Sequence, residues 1–190
     1  MENKNILIIC SHPDDEILGV GATIEKHKKR GDKVYYLIIG KGRGTFFDNK
    51  FDMIPLLDIV KKVEEYIERI KPDIIYTHYE YDLNIDHRIT YQAVITACRP
   101  CNIYCPKEIY SFEVLSSTEW QPNTFNPNVF VNIENEIKDK IKALRKYKSE
   151  MRKFPHSRSI EGVRTLAKYR GMQSGLKFAE AFILMRKIKK

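Results

Sequence analysis

The chain has 190 residues, a formal net charge of +8, 43% hydrophobic residues and a mean hydropathy of −0.44. A chain this long buries roughly 70% of its unfolded surface, so a single domain spanning residues 1–190 needs no staples, and no apolar run reaches the ~20 residues of a membrane span. The basic excess gathers in His27-Lys28-Lys29-Arg30, Lys138 to Lys153 and Arg186 to Lys190. With no aromatic RNA-binding signature, zinc finger or basic zipper, it argues against nucleic acid as partner. It reads either as solvated helix faces or as a field that steers an anionic small molecule.

Strands are predicted at Asn5–Cys10, Lys33–Ile39, Asp73–Thr77, Glu108–Leu115 and Val129–Ile133. Helices are predicted at Asp14–Arg30, Met53–Ile70, His87–Ala97, Glu134–Ser149, Ser159–Arg170 and Gly175–Lys187. The early alternation of strand and helix implies a Rossmann-like α/β fold: a mostly parallel sheet with helices on both faces and a helical C-terminal region. The first residues lead straight into a strand, which leaves no room for a signal peptide and predicts a cytoplasmic protein. Oligomerisation is compatible with all of this.

The chemistry starts where the first strand ends. Ile6-Leu7-Ile8-Ile9-Cys10 runs into Ser11-His12-Pro13-Asp14-Asp15-Glu16, so a histidine and three carboxylates fall at the carboxyl end of a strand, where open α/β sheets bind their ligands. His12 and Asp15 are three apart, and a helical turn would point them the same way, as two ligands of one metal. Asp14 lies between them, free to handle a proton. The alternative is a capping box built on Ser11 and Asp14 with dipole-stabilising acids, which accounts for one or two carboxylates but not for His12. A second cluster, Asp82-Leu83-Asn84-Ile85-Asp86-His87-Arg88, follows the third strand. It offers His87 as a third ligand, and Asp86 or Asp82 to orient a neighbour. Two histidines and a carboxylate form a catalytic zinc set with an open position. Iron is the alternative metal, since the same trio makes the triad of non-haem oxygenases. Zinc beside a carboxylate base suits amide hydrolysis.

These residues resemble a known family. His12-Pro13-Asp14-Asp15-Glu16 is similar to the HPDDE signature of the PIG-L-type (LmbE-like) zinc-dependent N-deacetylases, and Asp82 to Arg88 looks like that family's second motif. Gly171 to Gly175 with Ala179-Glu180-Ala181-Phe182 resembles its closing helix. The resemblance implies zinc on His12, Asp15 and His87, Asp14 as general base, and an N-acetylated amino sugar or sugar conjugate as substrate. The chain departs from the pattern at Asn84, where many members carry a histidine that stabilises or protonates the tetrahedral intermediate. Asn84 can donate to an oxyanion but cannot shuttle a proton, so His156 is the candidate to share that task, with His78 as a weaker one. A scaffold that binds carbohydrate without turning it over is the rival reading.

Three features complete the expectations. Gly40-Lys41-Gly42-Arg43-Gly44-Thr45 follows the second strand and matches no phosphate-loop pattern; it is either a turn or a loop that brings Arg43 to a substrate. Ser116 to Asn128 is a loop whose Trp120 and Phe125 either line a sugar pocket or tuck into the core. Cys98, Cys101 and Cys105 match part of an iron–sulfur run without its fourth cysteine, so reduced thiols are expected, and His27 among its lysines reads as solvated.

Overall fold

The structure, a computed structural model, describes residues 3–40, 50–100 and 104–189. Its strands are β1 (Asn5–Cys10), β2 (Lys33–Ile38), β3 (Ile74–Thr77), β4 (Glu108–Phe112), β5 (Val129–Asn132) and β6 (Ala179–Lys187). Its α-helices are α1 (Asp15–Lys29), α2 (Leu56–Ile70), α3 (Ile85–Ala97), α4 (Ile137–Leu144) and α5 (Ile160–Ser174). The strands form one sheet in the order β2-β1-β3-β4-β6-β5. The first four run parallel, and β6 is antiparallel to both of its neighbours.

β1 is apolar throughout because both of its faces are covered, as parallel strands require. Leu7 and Ile9 face the core shared with α2 and α3, while Ile6, Ile8 and Cys10 face the core under α1. The chain leaves β1 toward β2 on one side and returns to β3 on the other. The carboxyl ends of β1 and β3 therefore flank the point where the strand order reverses, which is the crevice that binds ligands in such sheets.

The last predicted helix is the main correction. Residues Ala179–Lys187 form β6, not the end of a helix over Gly175–Lys187, and the family's expected closing helix is a strand here. Ala, Glu, Leu, Met and Lys favour helix by propensity, but tertiary pairing overrides that. Gly175 at φ 68° closes α5 in a left-handed cap, and the nine residues of β6 then zip between β4 and β5. The helix expected over Glu134–Ser149 is shorter, Ile137–Leu144.

A buried ion pair fixes how this region meets α1. Glu180 of β6 accepts from the Ala22 and Thr23 N–H groups at 2.9 and 2.7 Å, and from Lys140 Nζ at 2.7 Å. Lys140 also donates to the Leu18 carbonyl at 2.7 Å. The pair thus occupies backbone groups in the middle of α1, beside Gly19 and Gly21. Gly19 has a packing reason of its own: a Cβ there would run into the Phe112 ring of β4. Gly19→Ala should therefore force α1 off the sheet and cost about 1–3 kcal/mol, the range for overpacked cores, read as a lowered urea midpoint at unchanged slope.

Candidate active site

The two acidic-histidine clusters meet at the carboxyl ends of β1 and β3. His12 Nδ1 lies 3.5 Å from Asp15 Oδ2, His87 Nε2 lies 3.3 Å from the same oxygen, and the two histidine nitrogens are 3.3 Å apart. Among the described residues this trio forms a group able to hold a metal ion. The triangle fits: a tetrahedral ion with bonds of about 2.1 Å has ligand–ligand edges of about 3.4 Å. The chemistry fits as well, since Asp15 Oδ1 is buried with no hydrogen-bond partner, a state that is costly unless something cationic takes it.

The outer nitrogens of both histidines face carboxylates, the usual way to orient a ligating imidazole. Asp86 Oδ2 lies 3.1 Å from His12 Nε2 while its Oδ1 accepts from the Phe51 N–H at 3.2 Å. Asp82 Oδ1 lies 3.1 Å from His87 Nδ1, and its other oxygen accepts from Ser117 Oγ and Thr118 Oγ1 at 3.1 and 2.5 Å. Burial pushes the His87 imidazole down, but Asp15 and Asp82 outweigh it and raise it to about 10. Burial would raise Asp15, but His87 and His12 hold it well below the usual carboxylate range. A proton on His87 fills the electrostatic place of a cation.

The turn itself departs from expectation. His12 precedes α1 rather than sharing a helical turn with Asp15; its own N–H donates to Asp15 Oδ2 at 2.9 Å, and that contact brings the two together. No capping box forms: Ser11 Oγ pairs with Thr90 Oγ1 at 2.8 Å, and Asp14 is the helix N-cap at φ 97° without a side-chain cap bond. That left-handed backbone costs on the order of 1–3 kcal/mol for a non-glycine residue. It is held by Glu16, whose carboxylate accepts from the Asp14 N–H at 3.0 Å and from the Tyr147 hydroxyl at 3.0 Å. The turn aims Asp14 Oδ2 at Arg158 Nη1, 3.2 Å away. Burial and the adjacent Asp15 push the Asp14 carboxyl up to about 7, against the pull of Arg158.

The remaining predicted residues divide. Asn84 caps α3: its Oδ1 accepts from the Asp86 N–H at 2.9 Å. His156 accepts from the Arg158 N–H at 3.1 Å and meets the exposed Trp120 edge-on at 5.6 Å. Phe125 is buried against Tyr79, 5.1 Å between ring centroids, so of the two loop aromatics only Trp120 stays at the surface. Arg43 and Cys101 lie outside the described residues; Cys98 and Cys105 are free thiols. His27 is not solvated: it sits at 3% exposure, seven residues on from Val20 and three from Ile24 on the inner stripe of α1, with Nδ1 2.7 Å from Asp32 Oδ2. His78 is fully buried, stacks on His87 at 3.9 Å and accepts from the Ser11 N–H at 2.9 Å. Sequence reasoning missed Glu16 as a brace, Arg158, Tyr147, Ser117 and Thr118. Only Glu16 had a local signal, its place in the acidic run.

Comparison with known proteins agrees with this geometry. A family model described as PIG-L, GlcNAc-PI de-N-acetylase, matches residues 7–45 and 44–98, which contain both clusters. The chain is thus similar in sequence to the PIG-L-type (LmbE-like) deacetylases over the half that carries both clusters. YaiS of Escherichia coli (strain K12), named an uncharacterized deacetylase, is 28% identical over 181 residues, covering 78% of this chain and 92% of that one. The N,N'-diacetylchitobiose deacetylase of Pyrococcus horikoshii shares the fold at a TM-score of 0.77 and 21% identity, over 97% of this chain and 84% of that one. So does GalB of Pseudomonas putida KT2440, a 4-carboxy-2-hydroxymuconate hydratase, at a TM-score of 0.77 and 17% identity, over 98% of each chain.

Metal and proton compete for the same nitrogens, so affinity depends on pH. His87 is protonated below about 10 without metal. Zinc affinity should therefore climb about tenfold per pH unit between pH 6 and 8, as read by competition with a chromophoric chelator. His12→Ala and His87→Ala should each lose most of the bound metal by elemental analysis.

Proposed function

We propose that this protein removes the N-acetyl group from an N-acetylated amino sugar or sugar conjugate, with zinc held by His12, Asp15 and His87. The observation that carries the reading is the ligand triangle with Asp14 beside it, on the turn that the family shares. A zinc ion there would supply a Lewis acid that makes water nucleophilic near neutral pH and polarises the amide carbonyl; Fe(II) suits the same donors.

The chain's own residues do the rest. Asp14, poised near 7, matches the operating pH of a group that first takes a proton from water and later delivers it to the leaving amine. Arg158 fixes its orientation through the 3.2 Å contact and keeps a share of it ionised. Asn84 commits its carbonyl oxygen to the α3 cap, which leaves amide N–H groups, the polarity an oxyanion needs. His156 supplies the titratable partner that Asn84 lacks, and Trp120 beside it offers a flat face to a sugar ring. Arg43 contacts a substrate hydroxyl or phosphate. The net charge of +8 favours an anionic substrate, such as a nucleotide-sugar or sugar phosphate. No helix among the described residues is long and apolar enough to cross a membrane, and the free thiols suit the cytoplasm.

Acetate release measured over N-acetylated sugars, nucleotide-sugars and sugar phosphates with zinc-loaded protein tests the reading. Turnover of one class is expected. Binding without acetate release across the panel would favour the non-catalytic scaffold instead.

Asp14→Asn should keep the metal and lose about 10²–10⁴ in rate. Arg158→Met has a different signature. Arg158 lowers the Asp14 carboxyl, so its removal raises it, and the acid limb of the rate–pH profile should move to higher pH. His156→Ala should keep fold and metal but lower the rate at saturating substrate; an unchanged rate would leave Asn84 to act without His156.

A further inference from the structure

A second cavity lies at the other end of the molecule. It is about 280 Å³ and lies between the C-terminal half of α1, the amino ends of β1, β3 and β4, and the β5–β6 pair. None of the ligand trio lines it. β1 is six residues long, so the two sites are separated by on the order of 20 Å of strand.

Its lining combines two features that a plain packing gap lacks. One wall is aromatic. Tyr76 and Tyr110 are paired across β3 and β4, with rings stacked at 5.3 Å and 20°, and Phe182 stands 5.1 Å from Tyr76. The other feature is charge. Lys4, Lys26, Arg30 and Lys187 surround the cavity against one lining carboxylate, Glu108. Glu108 is already taken by Lys187 at 3.1 Å and by the Tyr110 hydroxyl. Arg30 is met from outside by Asp32 at 3.2 Å. Lys26 donates to a neutral acceptor, the Asn132 carbonyl, at 2.7 Å, and Lys4 has no ion-pair partner among the described residues. Lys4 and Lys26 thus make no close ion pair among the described residues, although Lys4 is near enough to Glu108 and Asp73 to lower both carboxyls.

Thr23 adds an independent sign. It is 3% exposed, lines the cavity, and its hydroxyl has no hydrogen-bond partner. Its N–H is bound by Glu180, so the backbone is satisfied and the side chain alone is left open. A buried hydroxyl without a partner is uncommon and calls for an occupant that supplies one.

We propose that this cavity binds a small organic anion with a planar apolar body, its negative group between Lys4 and Lys26, its ring against Tyr76 and Tyr110, and a polar atom on Thr23. Apolar walls with a few convergent polar groups are the usual make-up of a small-molecule site. The Tyr76–Tyr110 stack offers a flat aromatic wall, which favours a flat body over a branched one.

Isothermal titration with phenyl phosphate tests this, with inorganic phosphate and phenol as separate arms. Saturable binding of phenyl phosphate is expected, with each fragment at least tenfold weaker. The Lys4→Gln/Lys26→Gln double variant should weaken it at least tenfold, and Thr23→Val should weaken it several-fold at unchanged fold by circular dichroism. The His12→Ala/His87→Ala variant should bind it as wild type does. Absence of saturable binding, equal affinity for inorganic phosphate alone, or loss of binding in the His12→Ala/His87→Ala variant with retention in the lysine variant would each overturn the proposal.

Discussion

One oxygen organises this protein. Asp15 Oδ2 sits within 3.5 Å of nitrogens from His12, His78 and His87 and also accepts the His12 N–H at 2.9 Å. A carboxylate buried to 1% exposure is tolerable only if positive charge or strong donors surround it. The imidazoles serve that need by two different routes. His87, facing Asp15 and Asp82, is raised to about 10, and His12 is raised as well by Asp15 and Asp86. His78 is not: burial and the neighbouring His87 charge press it down to about 3, and its Nε2 accepts from Ser11 instead. The same nest of donors that makes a buried Asp15 tolerable is the one that a cation would displace.

The rest of the scaffold can be read as support for that point. The turn after β1 has to leave the strand, aim His12 and Asp14 at different partners, and enter a helix within four residues. It does so by putting Asp14 in a left-handed conformation, and Glu16 with Tyr147 from the segment after α4 restrains it. Asp82 is pinned by Ser117 and Thr118 from the loop after β4. Arg158, between α4 and α5, reaches back to Asp14. The site is therefore completed by segments that follow β4, and the Lys140–Glu180 pair ties β6 and α4 to α1.

How much of this could be read in advance follows from where each signal resides. β1, β3 and the acid–histidine clusters are local: an apolar run ending in charge says strand, end of strand and site in one stretch. The mostly parallel sheet followed from the strand–helix alternation, whereas the strand order that puts the site where it reverses did not. β6 was not legible, because Ala179-Glu180-Ala181 and the Leu, Met and Lys that follow carry helix propensity, and only pairing with β4 and β5 makes them a strand. His27 was misjudged because its neighbours Lys28, Lys29 and Arg30 are exposed, while helical spacing from Val20 and Ile24 turns it inward. Arg158 was passed over for His156, two residues earlier. Both sit in the loop before α5, and composition gives no way to tell which side chain faces Asp14. The pairing of Asp82 with Ser117 and Thr118 spans more than thirty residues and has no counterpart in local pattern.

The fold leaves the reaction open. A deacetylase and a hydratase both superpose on this chain at a TM-score of 0.77, so architecture does not separate amide hydrolysis from addition of water to a double bond. Both reactions begin by activating water, and both call for a base beside the activated oxygen. They part at the leaving step: an amide must lose an amine, which departs only when protonated, whereas hydration has no leaving group. Both also return a proton, to the amine nitrogen in one case and to carbon in the other, so a group that takes and returns a proton serves either. Asp14, near 7 and held by Arg158, can take a proton and give it back. Asn84 cannot, so what separates deacetylation from hydration is not the fold or the proton-handling group but the sequence similarity to deacetylases over the two clusters.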